Sequence, residues 1–483
     1  MYVNFDPNRD FLTAEDIKNC TATPEGFLVG NNYQRAFARG KKTVFHHALT
    51  YISGLITLPR GSNMSQIADY IENSGSCRCL SHFISTSKWK HEKVMENTRS
   101  AAIDLLGPGG SIIFDETGQQ KYGPDSVGVS IQYLGVIGDT CAAQVGVFAS
   151  YCVNNISALI DYRLFLPESW INNHKNDEEF GVPVEKLEHK TKPVLALEML
   201  DQFKGEEIPF SYVQADALYG GDSHFITGLY QREVAFVCDI PCSTYVYITE
   251  PELGLPERQG NRGRQPTILK VLNTTPVEVK WLADIQKNWD SVDVRFTNRG
   301  IKTVECAEAT VWRRQDGMPV DTPIRVIMIR DPDEDKIRFA FTNIFGEDLH
   351  DLVRKQANRY WIERNFEDAK GLCDMDSFRG RGWLSWHHHI ALAATAHLFL
   401  LSVWKYFSKK GKFLSLDQIV KVIRFNNPLR QLSAEELAES INKVNILRAK
   451  MWLGNMKKCL KKRWDNAVSW MSLLLDIRTG LTS

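Results

Sequence analysis

The chain has 483 residues, with 58 Lys and Arg balanced by 58 Asp and Glu and 43% hydrophobic residues. That composition excludes a disordered or fibrous protein, and at ~100 to 200 residues per domain the length allows two to four units. No apolar run reaches the ~18 residues of a membrane span, since the longest candidate, near Ile390 to Val403, is broken by His397. The amino terminus, Met-Tyr-Val-Asn-Phe-Asp-Pro, lacks a basic start followed by an apolar run, so no secretory signal is expected. Ten cysteines are scattered, and neither Cys77-x-Cys79 nor Cys238-x3-Cys242 has the second half of a zinc site. Reduced thiols in the cytoplasm are the expectation, with no membrane partner.

The zero net charge conceals segregation. From Arg35 to Arg99 there are 10 Lys and Arg against 4 Asp and Glu, and from Leu401 to Ser483 there are 16 against 6. Basic ends around an acidic middle suit a polyanion held by the ends while carboxylates act in the middle. Basic helices that only keep the chain soluble would give the same counts.

In chain order, residues 1 to about 60 mix polar turns and apolar patches and give no firm assignment. From Asn63 the pattern is helical, with Met64, Ile67, Ala68 and Ile71 in step and Ser62 as N-cap. After a break at Gly75 come a helix through Leu80, Phe83 and Ile84 and another from Trp89 to Leu106. The pair across Gly75 could be a helix-turn-helix, although any small bundle looks the same. Residues 1–108 are therefore read as a helical DNA-binding region.

Gly107-Pro-Gly-Gly110 then switches the pattern to strand. Ser111 to Phe114 is a short apolar run ending in Asp115, and strands are expected over Val127 to Leu134, Gln144 to Val153 and Leu159 to Leu166. A helix at Pro193 to Phe203 precedes a strand, Phe210 to Ala215, which also ends in an aspartate, Asp216. A helix at Ser223 to Arg232 and a strand at Ala235 to Ile240 complete an α/β unit with a mixed sheet over 109–240. Short β-like runs fill 241–345, with a loop holding Arg258, Arg262 and Arg264. The unit resumes over 346–400, and 401–483 forms a basic helical region; past Gly371 the expected helices are Ile390 to Phe407, Leu416 to Phe425, Ala434 to Met451 and a basic amphipathic segment from Asn455 to Ile477.

Arg359 to Lys370 reads as a helix in which Arg359, Glu363 and Lys370 share a side next to a stripe of Ile362, Phe366 and Ala369. A salt-bridged surface helix would read the same way. Asp115 and Asp216, however, end strands of one sheet, where α/β proteins bind ligands. Alternation puts Asp115 and Thr117 on one face and Glu116 on the other, which makes Asp115 the metal-ligand choice and Glu116 the reserve. Three convergent carboxylates need a cation, and Mg²⁺ suits oxygen ligands. Two such ions about 3.5 to 4 Å apart serve phosphodiester chemistry. The consecutive His387, His388 and His389 point in three directions along a helix, so packing and hydrogen bonding are their expected roles.

These residues resemble a known family. Phe-Asp-Glu-Thr-Gly at 114–118, with Lys121-Tyr-Gly and Ser126 to Tyr133, looks like the first-aspartate block of bacterial insertion-sequence DDE transposases, in the IS-four superfamily and its IS-seven-oh-one branch. Gln214 to Gly220 is similar to the second-aspartate block. Ile362-Glu-x2-Phe-x3-Lys370, with Gly371-Leu-Cys and Trp386-His-His-His389, looks like the glutamate block. The resemblance implies an RNase H-like core interrupted by a β insertion, with helical terminal regions. It implies Asp115, Asp216 and Glu363 as catalytic metal ligands for two Mg²⁺ ions, with Mn²⁺ as substitute. Arg359 and Lys370 fit the family's Tyr-x2-Arg-x3-Glu-x6-Lys signature and become phosphate contacts, while Gln356 stands at the tyrosine position and leaves hairpin formation open. Trp312 in the insertion is the candidate for stacking on a flipped base, and insertion core is its other reading. Lys461 and Lys462, with Lys457, Lys458 and Arg463, either contact DNA backbone or form a solvated face.

The function implied is metal-dependent cleavage at transposon ends followed by transfer of the 3′-OH into target DNA. Double-stranded DNA, both terminal inverted repeats and target, is the expected partner, with a homodimer in the synaptic complex. A transposase-derived DNA-binding protein without catalysis and an RNase H-like nuclease are the competing readings.

Overall fold

The computed structural model describes residues 11–39, 42–71, 76–135, 137–257, 266–297, 300–334 and 336–426, with parts of 435–465. Its centre is the strand Gly110–Gln120, rich in β-branched and aromatic residues and buried through Phe114. On one side it pairs antiparallel with Asp139–Val153, which pairs in turn with Ile156–Leu164 and, at its start, with Ser130–Leu134. On the other side it runs parallel to Phe210–Ala215, itself parallel to Phe236–Ile240. Three antiparallel strands followed by two parallel ones, in the spatial order 156–164, 139–153, 110–120, 210–215, 236–240, make an RNase H-like mixed sheet.

Alternation along the central strand divides the interior. Ile113 faces one core, with Phe148, Tyr162, the helix Tyr360–Cys373 and the long helix Trp383–Lys409. Ile112 and Phe114 face the other, against helices Lys192–Gly205 and Ser223–Gln231. The first core also takes in N-terminal helices Phe45–Thr57, Met64–Tyr70, Cys77–Ser85 and His91–Leu106. Asn63 rather than Ser62 caps the second of these, closing a capping box with Gln66. The break at Gly75, the arginines at 258, 262 and 264 and residues 466–477 of the expected last helix lie outside the described residues, as does much of 434–451.

Trp383–Lys409 extends further than expected, taking in the histidine triplet. It is long and apolar enough to cross a membrane, and 78% of its most apolar window is buried inside the protein, as in a core helix. His388 bridges Ile84 O and Trp89 O, and His389 lies between Tyr51 Oη and Met375 O, so these rings stitch the long helix to its neighbours.

Among the described residues the insertion is mostly β, with one short helix at Val279–Ile285. Its strands are much longer than local patterning indicated. Gly300–Gln315 and Met318–Asp331 form a hairpin closed by Asp316-Gly317, both at positive φ (51° and 84°), the geometry that favours such a dipeptide. The returning strand Lys336–Thr342 pairs antiparallel with Phe236–Ile240, placing Ala340 opposite Asp239. The insertion sheet thereby continues the core sheet.

Candidate active site

The parallel ladder between Gly110–Gln120 and Phe210–Ala215 ends at the pair Phe114 and Ala215. Beyond it the second strand turns into the short helix Ala217–Gly220, with Asp216 as N-cap accepting from Leu218 N at 2.9 Å. Asp115 is not a strand terminus, as the sequence suggested. Its strand runs on to Gln120 because the antiparallel partner keeps pairing, to Gln120 opposite Ala143. One strand continuing while its neighbour turns away opens a crevice, and Asp115, Glu116 and Asp216 each place an oxygen there, all within 4.8 Å of one another. Gly220 lets the Asp216 turn close onto the next strand, since a Cβ there would lie 2.0 Å from Asp239 O.

Crowding acids out of water raises their proton affinity. Burial first, then the neighbouring Asp216, pushes the Asp115 carboxyl up to about 8, against the pull of Arg359. Asp216 is raised by burial and by Glu116. Glu116 Oε1 accepts from Lys192 Nζ at 2.8 Å, while Oε2 is buried with no hydrogen bond among the described residues. Tyr219 is fully buried beneath these acids, its hydroxyl close enough to Glu116 to feel its charge but without a partner of hydrogen-bonding geometry. Burial, then Glu116, Asp115 and Asp216, holds that phenol firmly protonated. Orphaned oxygens beside three desolvated carboxylates form the donor set of a hard divalent cation, and the residues fit one.

Glu363 stands outside this trio and is about half exposed, linked to it through Arg359. Arg359 is the N-cap of the glutamate helix, following the helix Leu349–Ala357. Its Nη2 lies 2.8 Å from Glu363 Oε1, its Nη1 3.4 Å from Asp115 Oδ2, and its Nε 3.1 Å from Asp239 Oδ2. Burial opposes the guanidinium charge, but Asp239, Glu363, Asp115 and Asp216 outweigh it and hold Arg359 charged. Asp239 was missed by sequence reasoning, although it lies near the carboxyl end of a third parallel strand, the signal that found Asp216. Burial raises its carboxyl despite Arg359 and Gln356. Gln356, at the tyrosine position of the signature, is buried and donates from Nε2 to Asp239 Oδ1 at 2.7 Å.

Lys370 does not pair with Glu363. Its Nζ donates to Thr117 Oγ1 at 2.6 Å, on the strand face shared with Asp115. The glutamate helix is set on the sheet by Ile362, Phe366 and Ala369 and by Asn365, whose Nδ2 donates to Ser150 Oγ (2.9 Å) and Ser157 Oγ (2.8 Å). Trp312 lies in the insertion sheet, half-buried opposite Tyr247 and Pro323, its Nε1 without a partner among the described residues. Lys461 and Lys462 are exposed on the helical segment 448–465.

The family model described as "DDE superfamily endonuclease" matches residues 35–305, taking in Asp115 and Asp216 and ending before the glutamate helix. A relative from Microchaete diplosiphon, "Probable transposase for insertion sequence element IS701", is 28% identical over 177 residues, 35% of this chain. The chain spans 42% of the length of that relative.

Proposed function

Since the chain belongs to the DDE superfamily of endonucleases, we propose that it is the transposase of an insertion sequence, cutting DNA at the element's ends and joining them to target DNA. The observation that carries this reading is the carboxylate crevice, where Asp115, Glu116 and Asp216 converge and Glu363 is tied to the same place by Arg359. The name of the relative from Microchaete diplosiphon points the same way.

Asp115, Asp216 and Glu363 would hold two Mg²⁺ ions, or Mn²⁺ in their place, with Glu116 at hand. When bound, such ions lower the pKa of water and stabilise charge on a phosphodiester. Arg359, at the crevice, and Lys370, about two turns beyond Glu363 along the same helix and bonded to Thr117, would position phosphates on the way in. The half-buried acids keep bulk water from competing, and the sheet fixes their spacing. Water attacks phosphorus at the element's end and the P–O3′ bond breaks, leaving a 3′-OH on the element. That hydroxyl then attacks a target phosphodiester, forming a new P–O3′ bond as the target's own is released. Each step exchanges one ester bond and calls for no covalent enzyme intermediate. Terminal inverted repeats and target duplex are the substrates, brought together by a homodimer in the cytoplasm, with the helical region 1–108, basic over 35–99, and the basic region 401–483 holding DNA.

The test is cleavage of a supercoiled plasmid carrying the element's ends, with Mg²⁺. Wild type should nick and join, whereas Asp216→Asn and Glu363→Gln should lose more than a hundredfold. Equal cutting by these variants would overturn the assignment, and cutting without joining would leave a nuclease.

A further inference from the structure

The glutamate helix leads away from the carboxylates to a groove of which the reaction above uses Lys370 alone. About 810 Å³ in volume, it lies between the end of the central strand and the turn at 376–381 that follows the helix. Lys370 lies at one end, roughly 10 Å along the helix from Glu363 at ~1.5 Å per residue. Four cations, Lys121, Lys370, Arg379 and Arg381, line it against two acids, Asp125 and Asp376. Both acids are engaged, Asp376 by Arg60 at 2.7 Å and Asp125 by Arg381 at 3.4 Å, whereas Arg379 is exposed and makes no ion pair among the described residues. At the lip Tyr122 is 98% exposed.

The groove is built, not an accident of loose loops. Gln119 Nε2 and Lys121 Nζ both donate to Phe378 O, at 3.1 and 2.9 Å, and Val127 N donates to Arg381 O at 2.8 Å. A Cβ on Gly118 would meet the Leu134 side chain at 2.6 Å, and one on Gly380 would meet the Phe378 ring at 2.1 Å, so glycine at both positions leaves room for the side chains packed there.

We infer that this groove carries one DNA strand away from the reacting phosphate, with Arg379 and Arg381 on its backbone and Tyr122 stacked on an unpaired base. The chemistry is complementary: a row of cations tracks phosphates and an exposed ring takes a base face without regard to sequence. At ~3.4 Å per step, the ~10 Å from Glu363 to Lys370 places the groove roughly three nucleotides from the cut. The inference rests on the transposase reading, since it needs DNA at the carboxylates.

The experiment is fluorescence anisotropy of the full chain in EDTA across a salt series, so that no chemistry intervenes. The probes are a terminal-repeat duplex, the same duplex with one end unpaired, and a duplex of unrelated sequence standing for target. The double variant Arg379→Ala, Arg381→Ala should weaken binding about tenfold or more and flatten the slope of log K against log[salt] by roughly 1.4 to 1.8. Tyr122→Ala should weaken only the unpaired-end probe, about fivefold or more. Asp125→Asn, which removes a competing acid, should tighten binding, a gain that misfolding cannot produce. Loss confined to the unrelated duplex would assign the strand to the target, and loss confined to the terminal repeats to the element. An unchanged slope in the double variant, with wild type binding and cutting normally, overturns the groove alone. A wild type that binds none of the probes overturns the transposase reading with it.

Discussion

Replacing Arg359 by glutamine should expose how the carboxylates are kept together. The guanidinium contacts Asp115, Asp239 and Glu363 at 2.8 to 3.4 Å. One such pair at an effective dielectric of 20 is worth about 4 kcal/mol before desolvation, but Glu363 is half exposed and its share falls to about 1 kcal/mol or less. Asp115 can accept a proton instead, because its folded carboxyl lies at about 8, above its unfolded value. A carboxyl raised in this way contributes stability that is complete below the unfolded value and is lost as pH rises through about 8. Near pH 6 the variant should therefore lose about 1 kcal/mol, and near pH 9, where the acids are ionised without a cation, about 2 to 3 kcal/mol. Urea unfolding in EDTA at the two pH values measures both, and saturating Mg²⁺ should restore the variant more than wild type because the arginine and the ion seek the same oxygens. An equal penalty at both pH values, or no recovery with Mg²⁺, would refute this account of the crevice.

Three further outcomes follow from the same geometry. Divalent-cation affinity of the wild type, measured by calorimetry, should rise between about pH 6 and pH 8 as the Asp115 proton is displaced, and a flat profile would contradict the raised carboxyl. Glu116→Gln should weaken Mn²⁺ binding about tenfold or more, read by paramagnetic resonance; unchanged affinity with a lowered melting temperature would reduce Glu116 to a partner for Lys192. Gly220→Ala forces a methyl against Asp239 O and should cost about 1 to 3 kcal/mol while loosening cation binding; wild-type values for both would show that the close approach does not set the acids' spacing.

The sequence made the two aspartates legible because each follows a buried apolar run, and alternation separated Asp115 from Glu116 onto two faces, where they meet Arg359 and Lys192. It did not reveal that Glu116 still reaches the same crevice, which depends on the neighbouring strand turning away after Ala215. Asp239 carried the same strand-end signal as Asp216 but was passed over, and Gln356 acquired a purpose only once Asp239 was beside it. The turn dipeptide Asp316-Gly317 was passed over and its flanking strands were read only as short β-like runs, because partner strands, not local periodicity, extend them. Arg359 looked like a member of the glutamate helix and proved to be its cap, with its side chain reaching Asp115 and Asp239 on two strands as well as Glu363 on its own helix.

The pairing of Lys336–Thr342 with Phe236–Ile240 bears on how this chain can be dissected. An insertion looped out from a finished core could be trimmed away, but this one supplies the strand that covers the last parallel strand of the sheet. Shortening it would uncover a row of unpaired amides and carbonyls beside Asp239, the kind of bare sheet margin that recruits other chains into aggregates. The segment is thus a guard for the enzyme's solubility as well as a spacer between its second aspartate and its glutamate.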